Sequence, residues 1–163
     1  PPRPGRFRMS TGYRLLQAMV ERFGARLDAS VSMGMPTGIE SGDYLGVGMT
    51  DPEAAGRPAS AYNSSIEWST SIAPDGPFDE VGEVSLAAVS VRGDDELDQA
   101  IKAVHDIFDQ VVAVTREQWA DHDMFGVPGL WDLKPSGAEL NTAQLDIGAT
   151  AYLLIRFSFQ AQI

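Results

Sequence analysis

The residues of this chain best suited to chemistry are two histidines and the carboxylates beside them. His105 and Asp109 stand four apart in a helical pattern and would share one side, where an imidazole and a carboxylate could begin a metal site or an acid–base pair. Such a spacing by itself is more often surface electrostatics. His122 lies between Asp121 and Asp123, neighbours that favour a protonated imidazole, and no third ligand is identifiable for either histidine. Asp94 and Asp95 could share acid–base work, but acids opening a helix explain them more simply. The stretch Gly38-Ile39-Glu40-Ser41-Gly42-Asp43-Tyr44-Leu45-Gly46 is glycine-rich like a phosphate loop. It lacks the Gly-Lys-Ser/Thr ending, and its acids would repel phosphate, so turns between short strands are the expectation. There is no Gly-x-Ser-x-Gly elbow and no cysteine, which removes the serine-hydrolase signature, thiol catalysis and cysteine-ligated zinc. Trp68 reads as core on an alternating strand, whereas Trp119 and Trp131 flank a loop and suit core or interface equally. The expectation is a non-enzyme, with no catalytic, cofactor-binding or metal-binding residues.

The elements that must position these residues follow from the apolar pattern. Ser10 or Thr11 is placed to cap a helix whose Leu15, Leu16, Met19, Val20, Phe23 and Leu27 recur at three-to-four-residue spacing. Short strands are expected at 31–35 and 44–49, then a loop over 50–61 that carries Pro52, Gly56 and Pro58. Ser64 to Ile72 alternates as a half-buried strand. Pro74-Asp75-Gly76-Pro77 turns the chain, and Glu83 to Val91 returns as the antiparallel neighbour. Gly93 to Glu96 opens a second helix running to about Glu117, with Leu97, Ile101, Val104, Ile107, Phe108 and Val111 on its apolar face. A polar loop from Trp119 to Gly129 precedes two strands, near 130–133 and 139–147. A long alternating strand, Thr150 to Ile163, closes the chain. Strands joined by short turns with only two helices imply an α+β domain: a mostly antiparallel sheet with two helices packed on one face. Residues 1–9, rich in proline and arginine, read as an extended N-terminal arm, and 10–163 as a single domain.

Charge narrows the function classes. The first fourteen residues hold Arg3, Arg6, Arg8 and Arg14 and no acid, yet the 163-residue chain has a formal charge of −11. Its body is therefore strongly acidic, which argues against gripping nucleic acid across the main surface and suits solubility or a surface past which DNA slides. No apolar run approaches the ~20 residues of a membrane span, and no secretory signal is visible.

One constellation points further. Ser65-Ile66-Glu67-Trp68 is followed by a turn, then Asp79-Glu80 and the strand Val84-Ser85-Leu86-Ala87-Ala88-Val89-Ser90-Val91. Gly93-Asp94 and a helix containing Ala and Val come next, and Gly148-Ala149-Thr150 leads into a strand ending at Ile163. This order resembles the tail terminator proteins of long-tailed (siphovirus-type) bacteriophages, especially those of actinobacterial hosts, over roughly residues 10–163. It departs from their pattern at Pro77-Phe78, where an arginine often stands, and at Gln162, a position often basic. The resemblance implies a structural virion protein, a hexameric ring that caps the tail tube, stops its polymerisation and joins the tail to the neck or head connector. Its partners would be further copies of itself, the tail tube protein and connector proteins. DNA would pass through the lumen without specific binding. Asp98, Asp106 and Asp109 of the second helix are lumen candidates by charge alone, and a solvated outer face suits them at least as well. The arm would dock on an acidic neighbour. Another head–tail connector component, a stopper or head-completion protein, shares these expectations. A small metal- or ligand-binding enzyme built around the two histidines is the reading from a different class.

Overall fold

The computed structural model describes residues 10–34, 40–48, 62–68, 78–93, 96–120, 124–145 and 148–162, with the backbone alone for 62–68, Phe78 and 143–145. Helix α1 is Thr11–Gly24 and α2 is Leu97–Ala120. The strands are β1 Ser30–Met33, β2 Gly42–Val47, β3 Tyr62–Trp68, β4 Phe78–Val91, β5 Leu130–Leu145 and β6 Gly148–Gln162. They form one sheet in the order β1-β2-β4-β6-β5. β3 lies beside β4, sharing its edge with β2. The first half of β4 pairs with β3 (Trp68 opposite Phe78) and the second half with β2 (Gly42 opposite Val91). On the other edge β4 pairs with β6 along almost its whole length, from Asp79–Gln162 to Val91–Thr150. Every pairing is antiparallel except β1 with β2. The protein is thus an α+β domain with both helices on one face of a mostly antiparallel sheet.

That face is apolar because side chains alternate along a strand. Val84, Leu86 and Ala88 of β4 and Leu153, Ile155, Phe157 and Phe159 of β6 meet Leu15, Met19 and Phe23 of α1 and Val104, Ile107 and Val111 of α2. Each large side chain buried this way contributes on the order of 1.5–3 kcal/mol. The inward set expected along β6 is present from Leu153 to Ala161, while Ile163 lies outside the described residues. Alternation fails at the start of β6. Tyr152 and Leu154 on the opposite face are also buried, with Ala87, Val89 and Val91 of β4, as a second cluster beside Tyr44. α2 buries Ala100, Val114 and Gln118 in addition to its expected face, and leaves Leu97, Ile101 and Phe108 half-buried on its flank.

Several boundaries differ from the sequence reading. β4 begins at Phe78 rather than Glu83, because Gly82 and the acids Asp79 and Glu80 interrupt the apolar pattern. The two strands expected near 130–133 and 139–147 are one strand, β5. Pro135-Ser136-Gly137 resembles a turn, but β5 stands at the end of the sheet order, where proline is tolerated, and the chain runs on through register shifts at Leu130/Asp132 and Pro135/Gly137. The loop after α2 contains a 3-10 turn, Met124–Gly126, in which Met124 and Phe125 take positive φ of 40° and 60°. Phe125 is buried edge-on against Phe23, ring centres 5.6 Å apart, and this contact offsets the backbone cost. The loop expected at 50–61, the turn at 74–77 and the arm at 1–9 lie outside the described residues.

The start of α1 is where helix layer and sheet are joined. Ser10 occupies the N-cap position, but its hydroxyl makes no cap to its own helix, and the first turn holds no acid. The acceptor comes from β4. Glu80, fully buried on the helix side of the strand, accepts from the Thr11 N–H at 2.7 Å, from the Gly12 N–H at 3.4 Å and from the Ser10 hydroxyl. A carboxylate there satisfies orphan donors and opposes the positive end of the helix dipole. α2 starts with a local device instead: the Gly93 N–H donates to the Glu96 carboxylate and the Glu96 N–H to the Gly93 carbonyl.

Two outcomes are expected in denaturant unfolding. Glu80→Ala leaves the buried Thr11 and Gly12 N–H groups and the half-buried Ser10 hydroxyl without this acceptor and should remove about 2–6 kcal/mol, given ~1–3 kcal/mol for each of the two buried groups, whereas Glu80→Gln, which keeps one acceptor, should lose less. Gly148 has φ +118°, and a Cβ there would lie 2.0 Å from the Arg92 carbonyl oxygen, while a Cβ on Gly137 would meet nothing within 4 Å. Gly148→Ala should therefore lower the unfolding midpoint markedly and Gly137→Ala leave it level or slightly raised.

Candidate functional site

The residues that sequence singled out are not brought together. His105 and Asp109 both lie exposed on α2, as do Asp98 and Asp106. Asp121, His122 and Asp123 lie outside the described residues, as do Asp94 and Asp95. Among the described residues no group of three or more His, Asp or Glu is arranged to hold a metal ion. No helix among them is long and apolar enough to cross a membrane. The glycine-rich stretch, described from Glu40 onward, is strand β2 for most of its length, with Gly46 paired to Ala87 in the sheet. Trp119 is 40% exposed at the end of α2 and Trp131 is 59% exposed at the start of β5, so both face outward.

What tertiary structure does assemble is a polar cluster at the sheet end of α2. Asp43 of β2 accepts from a single nitrogen of Arg92, Nη2, through both of its carboxylate oxygens, at 2.7 and 2.8 Å, and from the Ser90 hydroxyl at 2.7 Å. The register that sets Asp43 opposite Ser90 creates this contact, with Arg92 two residues beyond on the same side. These charge-assisted bonds tie the end of β4 to β2 and offset both charges. Beside it lies a cavity of about 330 Å³ between α2 and the segment joining α1 to β1, lined by Asp28, Asp43, Arg92, Gln99, Lys102 and Asp106 among others. Its two cations are both engaged: Arg92 by Asp43, and Lys102 by Asp106 at 2.6 Å. The hydrogen bond to Asp106 and that carboxylate's charge hold the Lys102 ammonium above its ordinary range, so Lys102 is charged throughout the neutral range. Gln110 closes one side by accepting from the Asp28 N–H at 3.3 Å.

The lining of this cavity thus holds two ion pairs, Asp43 with Arg92 and Asp106 with Lys102, together with the Asp28 carboxylate and the Gln99 and Gln110 amides. Two polar atoms are buried without a hydrogen-bond partner among the described residues, Gln118 Oε1 and Thr150 Oγ1; neither residue lines the cavity. Asp43 and Arg92 are 49 positions apart. Sequence reasoning missed them because no spacing rule links residues on separate strands before the register is known. No protein-family model matches the chain, and no curated protein matches it.

The Asp43–Arg92 ion pair is only partly exposed, its side chains at 34% and 24%. A double-mutant cycle of Asp43→Ala and Arg92→Ala, read by urea unfolding, should give a coupling of about 1 kcal/mol, above the median for exposed pairs and reduced by solvent screening. Arg92→Lys should recover a large part of it, since a single nitrogen makes both bonds and an ammonium offers one as well.

Proposed function

We propose that the chain is a structural subunit of a virus particle: a tail terminator that forms a ring of six on the last ring of the tail tube, ends its growth and offers a joining surface to the neck. The observation that carries this reading is that the residues on which the resemblance rests are the framework of the fold. Glu80 of the Asp79–Glu80 pair holds the start of α1. Val84 to Val91 is the stretch of β4 that the helices cover on one side and the second cluster occupies on the other. Gly148-Ala149-Thr150 opens β6, with the Ala149 carbonyl accepting from the Arg92 N–H at 2.9 Å. A likeness carried by framework residues is a likeness of fold and assembly rather than of a reaction.

Two further features support it. Large apolar side chains are exposed on different parts of the surface: Tyr13 on α1, Trp119 at the end of α2, Val81 on the far side of β4 and Trp131 on β5. A ring subunit meets two neighbours and the partners above and below it, and outward aromatic side chains are favoured at such contacts. The net charge of −11 suits a lumen through which DNA passes without being held. In this reading the chain is no enzyme, resides in the virion, and has as partners its own copies, the tail tube protein and the neck or connector proteins.

The test is the solution mass by light scattering, for the chain alone and with the tail tube protein of the same virus. A six-copy particle, alone or formed on the tube protein, is expected. A chain that stays unassembled and ignores the tube protein overturns the reading. Binding to a portal or adaptor ring instead would make it a different connector component.

A further inference from the structure

Edge strands present a row of unpaired N–H and C=O groups, and folded proteins blunt them with bulges, lysine and proline. Among the described residues β5 pairs with β6 alone, so its outer edge is open. Its blunting devices are concentrated in the first half: Lys134, Pro135 and both register shifts. Beyond them the ladder with β6 runs unbroken from Gly137–Arg156 to Leu145–Gly148, with Glu139 the single charge. α2 packs over β6 and β4, and none of the described elements covers the helix-side face of this half of β5. Ala138, Leu140 and Thr142 are exposed there; Leu140 is 40% exposed although its partner Leu153 is buried.

We propose that this half of β5 is a docking edge, and that its occupant is the same segment of a second copy, running antiparallel about a two-fold axis at Leu140. The segment is complementary to itself in that register. Leu140 meets Leu140 of the second copy, and Ala138 faces Thr142 on the helix side. Glu139 faces Asn141 on the other side, where the amide N–H donates to the carboxylate. No like charges are opposed, which matters for a chain whose copies repel at longer range. β1, at the far end of the sheet order, is a poorer partner, since it offers four residues before Gly34 turns the chain at φ 69°. This pairing goes beyond the ring reading and does not rest on it: a two-fold contact is closed and cannot by itself build a ring.

The chain lacks cysteine, so one introduced thiol reports self-proximity cleanly. Leu140→Cys, oxidised at micromolar concentration in about 0.15 M salt, should give a disulfide-linked dimer. Lys134→Cys, which the register carries away from its own copy, should stay a monomer. In light scattering the unmodified chain should show twice its monomer mass, and Leu140→Lys, which sets two ammonium groups against each other at an exposed position, should halve it with an unchanged circular dichroism spectrum. A monomeric unmodified chain, or cross-linking no better from position 140 than from 134, overturns the proposal. So does a dimer that Leu140→Lys leaves intact. A six-copy particle unaffected by Leu140→Lys overturns the pairing and keeps the ring; a two-fold pair that ignores the tube protein keeps the pairing and removes the ring.

Discussion

A buried carboxylate joins the two layers of this domain. α1 begins without an acid in its first turn and without a cap from its own N-terminal hydroxyl, so its positive end depends on a group from elsewhere. Glu80 supplies it from the third position of β4, 69 residues away from the Thr11 N–H that it holds at 2.7 Å. Burying a charge in this way is costly unless its oxygens are occupied, and here both are. The bond has a geometric effect as well as an energetic one. It pins the first turn of α1 over the start of β4, so that Leu15, Met19 and Phe23 descend onto the sheet in a fixed order.

The strand that carries Glu80 also organises the sheet. β4 is long enough to serve two partners on one edge, β3 and β2, and a third, β6, on the other. Its alternation divides the domain. Even-numbered side chains from Glu80 to Ser90 face the helices, while Ala87, Val89 and Val91 belong to the second cluster. At its far end the same register brings Asp43 to Ser90 and places Arg92 for the ion pair that braces β2 beside α2. Both ends of β4 are therefore held by carboxylates, one accepting from a helix terminus and the other from an arginine.

This use of polar groups bears on function. The carboxylates held in the best-defined geometry are engaged in joining elements, and the histidine on α2 faces outward beside an acid with which it shares only helical spacing. Exposed aromatic side chains and an unblunted half-strand lie at the surface. Contacts with other chains are the common ground of the proposed ring and of the proposed edge pairing.

The fold class, both helices, the inward face of β6 and the antiparallel pairing of β3 with β4 were legible in the sequence, because each follows from apolar spacing over a few turns or from a short connection. The lack of cysteine and of a Gly-Lys-Ser/Thr ending was legible too, since both are plain in the residues themselves. The start of β4 was not, because Glu80 looks like a solvated acid until a helix terminus is placed above it. Nor was the continuity of β5 through Pro135, which depends on that strand lying at the sheet's edge. The Asp43–Arg92 ion pair and the second apolar cluster were equally hidden. Sequence periodicity reports which face of one element is apolar, and that much the residues determined alone. Which elements share an edge, which acid meets which donor and which face of Tyr152 and Leu154 is covered were decided only by the register between distant strands, a property that no local pattern contains.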